Sequence, residues 1–117
     1  MKRFILVVLL LAGCSEQATE ALQVNIVASK AKVAAFEPVT ITSTIVADGK
    51  PVINDAEVKF ELIHPNGQKI GTLNPTNNGD GSYSIETSFD ATGTYRIISH
   101  VDHNHDHDMP EVEVTVK

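Results

Sequence analysis

The sequence predicts an all-β chain: a seven-stranded antiparallel immunoglobulin-like sandwich following an N-terminal signal helix. Three observations carry this. Apolar residues recur with period two in six separate segments, and a seventh, Gln68–Leu73, returns from a tight turn as a short strand. Short turns rich in Gly, Pro, Asn and Asp separate those segments. No helical period appears beyond the N-terminal apolar run. A length of 117 residues allows one domain, and a 42% hydrophobic composition is enough to build its core.

The first strand is Leu22–Val27, where Leu22, Val24 and Ile26 alternate with Gln23 and Asn25. After the Glu37-Pro38 turn, Val39, Ile41, Ser43 and Ile45 alternate with Thr40, Thr42, Thr44 and Val46. All of these except Ser43 are β-branched, which suits a pleated strand. Asp48-Gly49-Lys50-Pro51 closes it. In Ala56–Ile63, Val58, Phe60 and Leu62 share one parity, and Glu57, Lys59 and Glu61 the other. One face is therefore core and one is wet. His64-Pro65-Asn66-Gly67 is a tight turn that returns as Gln68–Leu73. A turn-rich loop over residues 74–81 precedes the alternating strand Tyr83–Phe89. Thr94–Val101 is the sixth strand, and Val112, Val114 and Val116 mark the last.

Gly93-Thr94-Tyr95 has the form of a tyrosine corner. Where antibody domains carry a disulfide cysteine two residues later, this chain has Ile97. With a single cysteine no intrachain bridge is possible, so apolar packing must hold the sheets together.

That cysteine lies at the N-terminus. Lys2 and Arg3 precede an apolar run from Phe4 to Leu11, a secretory layout too short to span a bilayer. Leu11-Ala12-Gly13-Cys14 resembles the bacterial lipobox. The resemblance implies a signal peptide over residues 1–13, cleavage before Cys14 and lipidation of its sulfur. Residues 14–21 then form the lipidated Cys14 and a flexible spacer, and residues 22–117 the domain. The expected location is extracytoplasmic, as a membrane-anchored lipoprotein of the cell envelope. The formal net charge is −6, with no basic cluster beyond the N-terminus. Nucleic acid is therefore not an expected partner.

The most biased stretch runs from His100 to Met109 and holds four of the five histidines, interleaved with aspartates. In a sandwich it forms the connection between the last two strands, at the same end as Asp48, Asn54 and Asp55. His64 lies at the other end and reads as a turn residue. In an extended chain His103, His105 and His107 point one way, with neighbours about 7 Å apart. Two such imidazoles can close on one ion with bonds of roughly 2 Å, but three in a row cannot unless the loop curls. Imidazole suits copper or zinc, and Met109 adds a soft donor for copper. The candidate metal ligands are thus His103, His105, His107, His100 and Met109. Two other readings of the stretch are a solvated polar loop and a pH-responsive one.

Three further pieces resemble the YtkA-like domain of small bacterial envelope lipoproteins. They are Gly49-Lys50-Pro51-Val52 with Asp55-Ala56-Glu57-Val58; Asp80-Gly81-Ser82-Tyr83; and Ala91-Thr92-Gly93-Thr94-Tyr95. The resemblance implies an exported β-sandwich, and related envelope domains are associated with copper handling. It implies no ligand set.

Two functions follow as expectations. One is a lipid-anchored, extracytoplasmic protein that binds copper or zinc. The other is a noncatalytic module that binds another envelope protein. An enzyme is not expected: no nucleophile elbow or phosphate loop appears, and Glu57, Glu61, Glu111 and Glu113 read as solvated strand faces.

Overall fold

A computed structural model describes residues 22–117. The signal segment, Cys14 and the spacer lie outside the described residues. The strands are β1 (Gln23–Ala28), β2 (Lys32–Val33), β3 (Val39–Ala47), β4 (Lys50–Pro51), β5 (Ala56–Ile63), β6 (Lys69–Leu73), β7 (Thr76–Asn77), β8 (Ser82–Thr87), β9 (Gly93–His103), β10 (Asp106–Asp108) and β11 (Glu111–Val116). All seven expected strands are present. The additional β2, β4, β7 and β10 span two or three residues each.

Two sheets form the sandwich. The larger runs β2-β11-β9-β5-β6, with β10 also paired to β9; the smaller runs β1-β3-β8-β7, with β4 paired to β3. Every ladder is antiparallel except one: β2 pairs parallel to β11, Lys32 with Thr115 and Val33 with Val116. This departs from the expected all-antiparallel pairing. Between β1 and β3, which neighbour each other in the smaller sheet, the chain crosses to the larger sheet for the two residues of β2 and returns, covering part of the edge of β11.

Period-two burial accounts for the packing. Val39, Ile41, Ser43 and Ile45 of β3 face Tyr95, Ile97, Ser99 and Val101 of β9, all almost fully buried. The core has two parts. One, around Phe60, Ile41, Ile97, Tyr95 and Val114, fills the middle and the end where the chain terminates. The other, around Ile45, Val52, Val58, Tyr83 and Val101, fills the end from which β9 runs into the histidine stretch.

The tyrosine corner is formed. The Tyr95 hydroxyl donates to the Ala91 carbonyl and accepts from the Ala91 amide, both at 3.2 Å. The Tyr95 ring stacks on Phe89 at 4.1 Å. Gly93, with φ at 129°, allows the chain to turn there; a Cβ would meet Pro65 at 2.7 Å. His64 lies at this end, its Nδ1 accepting the Asn66 amide at 3.0 Å, as a turn residue would.

Candidate functional site

Residues 100–109 do not form a loose loop. β9 continues through His103, a two-residue turn follows at Asn104 and His105, and β10 returns antiparallel. Val101 pairs with Asp108, Asp102 with His107, and His103 with Asp106. Asn104 takes φ of 55°, the left-handed conformation that tight hairpin turns require and that Asn tolerates. The expected loop from Asp102 to Met109 is therefore largely strand, and this decides which histidines meet.

Cross-strand partners share a face, and faces alternate along each strand. His100, Asp102 and His107 fall on the outer face of the larger sheet. His103 has the parity of buried Val101, and His105 sits in the turn. The expected trio of His103, His105 and His107 is accordingly split three ways. The chain does turn back between His103 and His107, but the pairing of Asp102 with His107 and of His103 with Asp106 puts the two histidines on opposite faces of the hairpin.

What comes together is a different pair. The His100 and His107 rings lie with centroids 6.3 Å apart, tilted by 44°. His100 Nε2–H donates to Glu61 Oε1 at 2.7 Å, and His107 Nδ1–H donates to Asp102 Oδ1 at 2.5 Å. The His100 side chain is 33% exposed and that of His107 46%. The register is unbroken between the Val101–Asp108 and Ile98–Glu111 pairs, which sets Met109 opposite His100 on the same outer face. The Pro110 carbonyl accepts the Ser99 amide at 2.9 Å across that gap. Met109 is 52% exposed.

Glu61 was not foreseen as part of this cluster. On its strand it reads as one of three alternating outer charges. It reaches His100 because β5 pairs with β9, placing Glu61 opposite Ile98 and Lys59 opposite His100. Lys69 lies 4.0 Å from the other Glu61 oxygen. The parity was legible, but the register was not. Beside the cluster, Arg96 binds Glu111 through two parallel hydrogen bonds of 3.1 and 3.0 Å. These bonds hold the Glu111 carboxyl below its ordinary range.

His103 instead faces the connection between β3 and β5. It lines a shallow cavity of about 400 Å³ with Asp48, Lys50, Asn54 and Asp55. That is the expected neighbourhood of oxygen donors, although only His103 of the histidines lines it. Asp48 and Asp55 hold their bends with φ of 53° and 68°. Behind them the Tyr83 hydroxyl donates to the Val52 carbonyl at 2.9 Å. Burial, and then the Asp55 charge, push the Tyr83 phenol above its ordinary value. Among the described residues, no three His, Cys, Asp or Glu side chains converge closely enough to enclose an ion as they stand.

Comparison with known proteins supports the architecture. The chain is similar in structure to the soluble domain of PmoD from Methylocystis sp., with a TM-score of 0.55 at 14% identity over 80% of this chain and 90% of that one. It is also similar to superoxide reductase (neelaredoxin) from Ignicoccus hospitalis, with a TM-score of 0.52 at 12% identity over 90% of this chain and 89% of that one. At such identities the likeness shows a shared fold. A search of curated proteins finds no match. The YtkA-like family matches residues 16–100, up to the first histidine of the cluster. The chain belongs to the YtkA-like family.

Proposed function

We propose that the protein is a lipid-anchored, extracytoplasmic metal-binding protein, with copper as its ion and zinc as the competitor. The site is the outer-face cluster of His100, His107 and Met109, oriented by Glu61 and Asp102. One observation carries the reading: each of the two facing histidines spends one ring nitrogen on a carboxylate. A neutral imidazole held this way points its other nitrogen, Nδ1 in His100 and Nε2 in His107, outward as a lone pair. Carboxylates behind metal-bound histidines act in this manner, fixing the tautomer and raising ligand basicity.

The spacing fits with a small adjustment. Two imidazoles on one ion with bonds of about 2 Å hold their centroids roughly 5–6 Å apart, against 6.3 Å here. A modest rotamer change in two half-exposed side chains closes the difference. Two imidazoles with a thioether form a donor set that copper accepts better than zinc or calcium. The fold of the two structural relatives, one of them a superoxide reductase, is compatible with a metal-binding role. The lipobox-like Leu11-Ala12-Gly13-Cys14 supports anchoring through acylated Cys14.

Titration of the protein with Cu(II), Cu(I) and Zn(II), monitored by calorimetry and copper absorption, tests the reading. A one-to-one site should be lost in the His100→Ala/His107→Ala double variant and kept in His103→Ala/His105→Ala. Loss in the second variant alone, or affinity no better than a short histidine peptide, refutes it.

A second reading, a noncatalytic interaction module, is favoured by one feature. Phe36, 72% exposed, stands over a groove of about 470 Å³ with Leu62, Ile70, Leu73 and Phe89 in its walls, at the end that carries His64 and away from the His100–His107 cluster. Exposed apolar surface of this kind is typical of contact sites.

A further inference from the structure

The chain enters its domain at the histidine end. β1 begins at Gln23, opposite Val46, one residue from the end of β3. The connection after β3 contributes Asp48 and Asp55 to the cavity that His103 lines. Leu22 and Val24 pack on the core cluster of Ile45, Val58 and Val101 beneath the hairpin. The opposite end carries the Pro65-Asn66 turn, the tyrosine corner and Val116, which pairs with Gly93.

From Cys14 to Leu22 the chain has eight peptide steps, which span at most about 28 Å when extended. β9, eleven residues long, separates the two ends of the sandwich by roughly 35 Å. A tether attached at one end and shorter than the domain it holds orients that domain.

We infer that the hairpin end is the membrane-facing surface of the domain, so that the histidine cluster exchanges its ion in the water layer beside the bilayer. The inference rests on the proposed acylation of Cys14 and deepens the proposed metal site by assigning where its ion comes and goes. Charge shapes the contact. Asp48, Asp55, Glu57, Asp102, Asp106 and Asp108 stand at this end against Lys50 and Lys59. An acidic end is repelled by anionic headgroups, so it lies over the bilayer without inserting.

Acylated full-length protein in vesicles tests this. With Cys14 blocked by its lipid, His105→Cys and Asn66→Cys each provide one thiol for a fluorescent donor, and a headgroup-labelled lipid serves as acceptor. The axial separation of the two labels predicts energy transfer at least about two-fold greater from position 105 than from position 66. Equal transfer, or more from position 66, overturns the inference. In vesicles containing anionic lipid, transfer from position 105 should stay the same or fall; a rise shows headgroup binding and overturns the non-inserting geometry. Mass spectrometry of Cys14 separates the failures. An unacylated cysteine overturns the orientation while leaving the metal titration unaffected, and a failed titration leaves the energy-transfer result standing.

Discussion

The Ser43 and Ser99 hydroxyls hydrogen-bond to each other at 2.8 Å in the centre of the sandwich, one from each sheet, both fully buried. Ser43 lies between Ile41 and Ile45, and Ser99 between Ile97 and Val101. Those neighbours belong to the two different parts of the core. The serine pair is thus a polar seam between the packing that holds the tyrosine corner and the packing that supports the hairpin.

That arrangement predicts strong coupling between the serines. Either Ser43→Ala or Ser99→Ala leaves a buried hydroxyl without its partner and should cost about 1–3 kcal/mol. The double alanine variant should cost clearly less than the sum of the singles. Urea unfolding of the four proteins in a double-mutant cycle checks this, and additive costs would show that the bond contributes nothing specific.

At the other end, Tyr95→Phe keeps the stacking on Phe89 but removes both hydrogen bonds to Ala91. The Ala91 amide and carbonyl then lose their partner, and the expected loss is about 1–3 kcal/mol of unfolding free energy, read from urea unfolding. Metal binding should be unchanged, because Tyr95 points into the core five residues along β9 from His100, which lies on the outer face.

The hairpin turn links local backbone to ligand geometry. A β-branched residue at the left-handed Asn104 position is strained by roughly 1–2 kcal/mol, while glycine is not. Asn104→Val should loosen the pairing of Asp102 with His107 and weaken metal affinity, and Asn104→Gly should preserve it. Titration calorimetry beside amide exchange of residues 101–108 distinguishes this from a global loss of stability.

Glu61→Gln isolates the role of the carboxylate behind His100. Glutamine remains a hydrogen-bonding group but does not charge-stabilise the imidazole, and the expected loss of metal affinity is about 10-fold or more. If the carboxylate is only a solvated strand charge, affinity will be unchanged.

A pH dependence follows from Glu111. Hydrogen bonding to Arg96 lowers its carboxyl below the ordinary 4.5. A lowered folded-state value contributes stability above about 4.5, lost as pH falls through the folded value. The pair is nearly half exposed, so solvent screening keeps the contribution small. Glu111→Gln should be slightly less stable than the parent at neutral pH, with the gap narrowing progressively below pH 4.5.

The sequence by itself determined the seven long strands and their buried faces. Side-chain alternation is a local property, and Val58, Phe60 and Leu62 against Glu57, Lys59 and Glu61 display it without any partner strand. The tyrosine corner was legible for the same reason, since Gly93, Tyr95 and Ala91 lie within a few residues. So was the meeting of His103 with the connection bearing Asp48 and Asp55, because the order of strands in a sandwich dictates which loops share an end.

Only the tertiary structure decided which histidines face one another. Spacing alone made His103, His105 and His107 equivalent. The antiparallel return at Asn104 moved His107 onto the opposite face from His103 and beside His100. Register across β5, β9 and β10 then brought Glu61 to His100, and the register shared by the pairs on either side of Met109-Pro110 set Met109 opposite. Register is a relation between strands distant in sequence, fixed by where a turn falls. A shift of one residue would have exchanged every side chain between core and solvent.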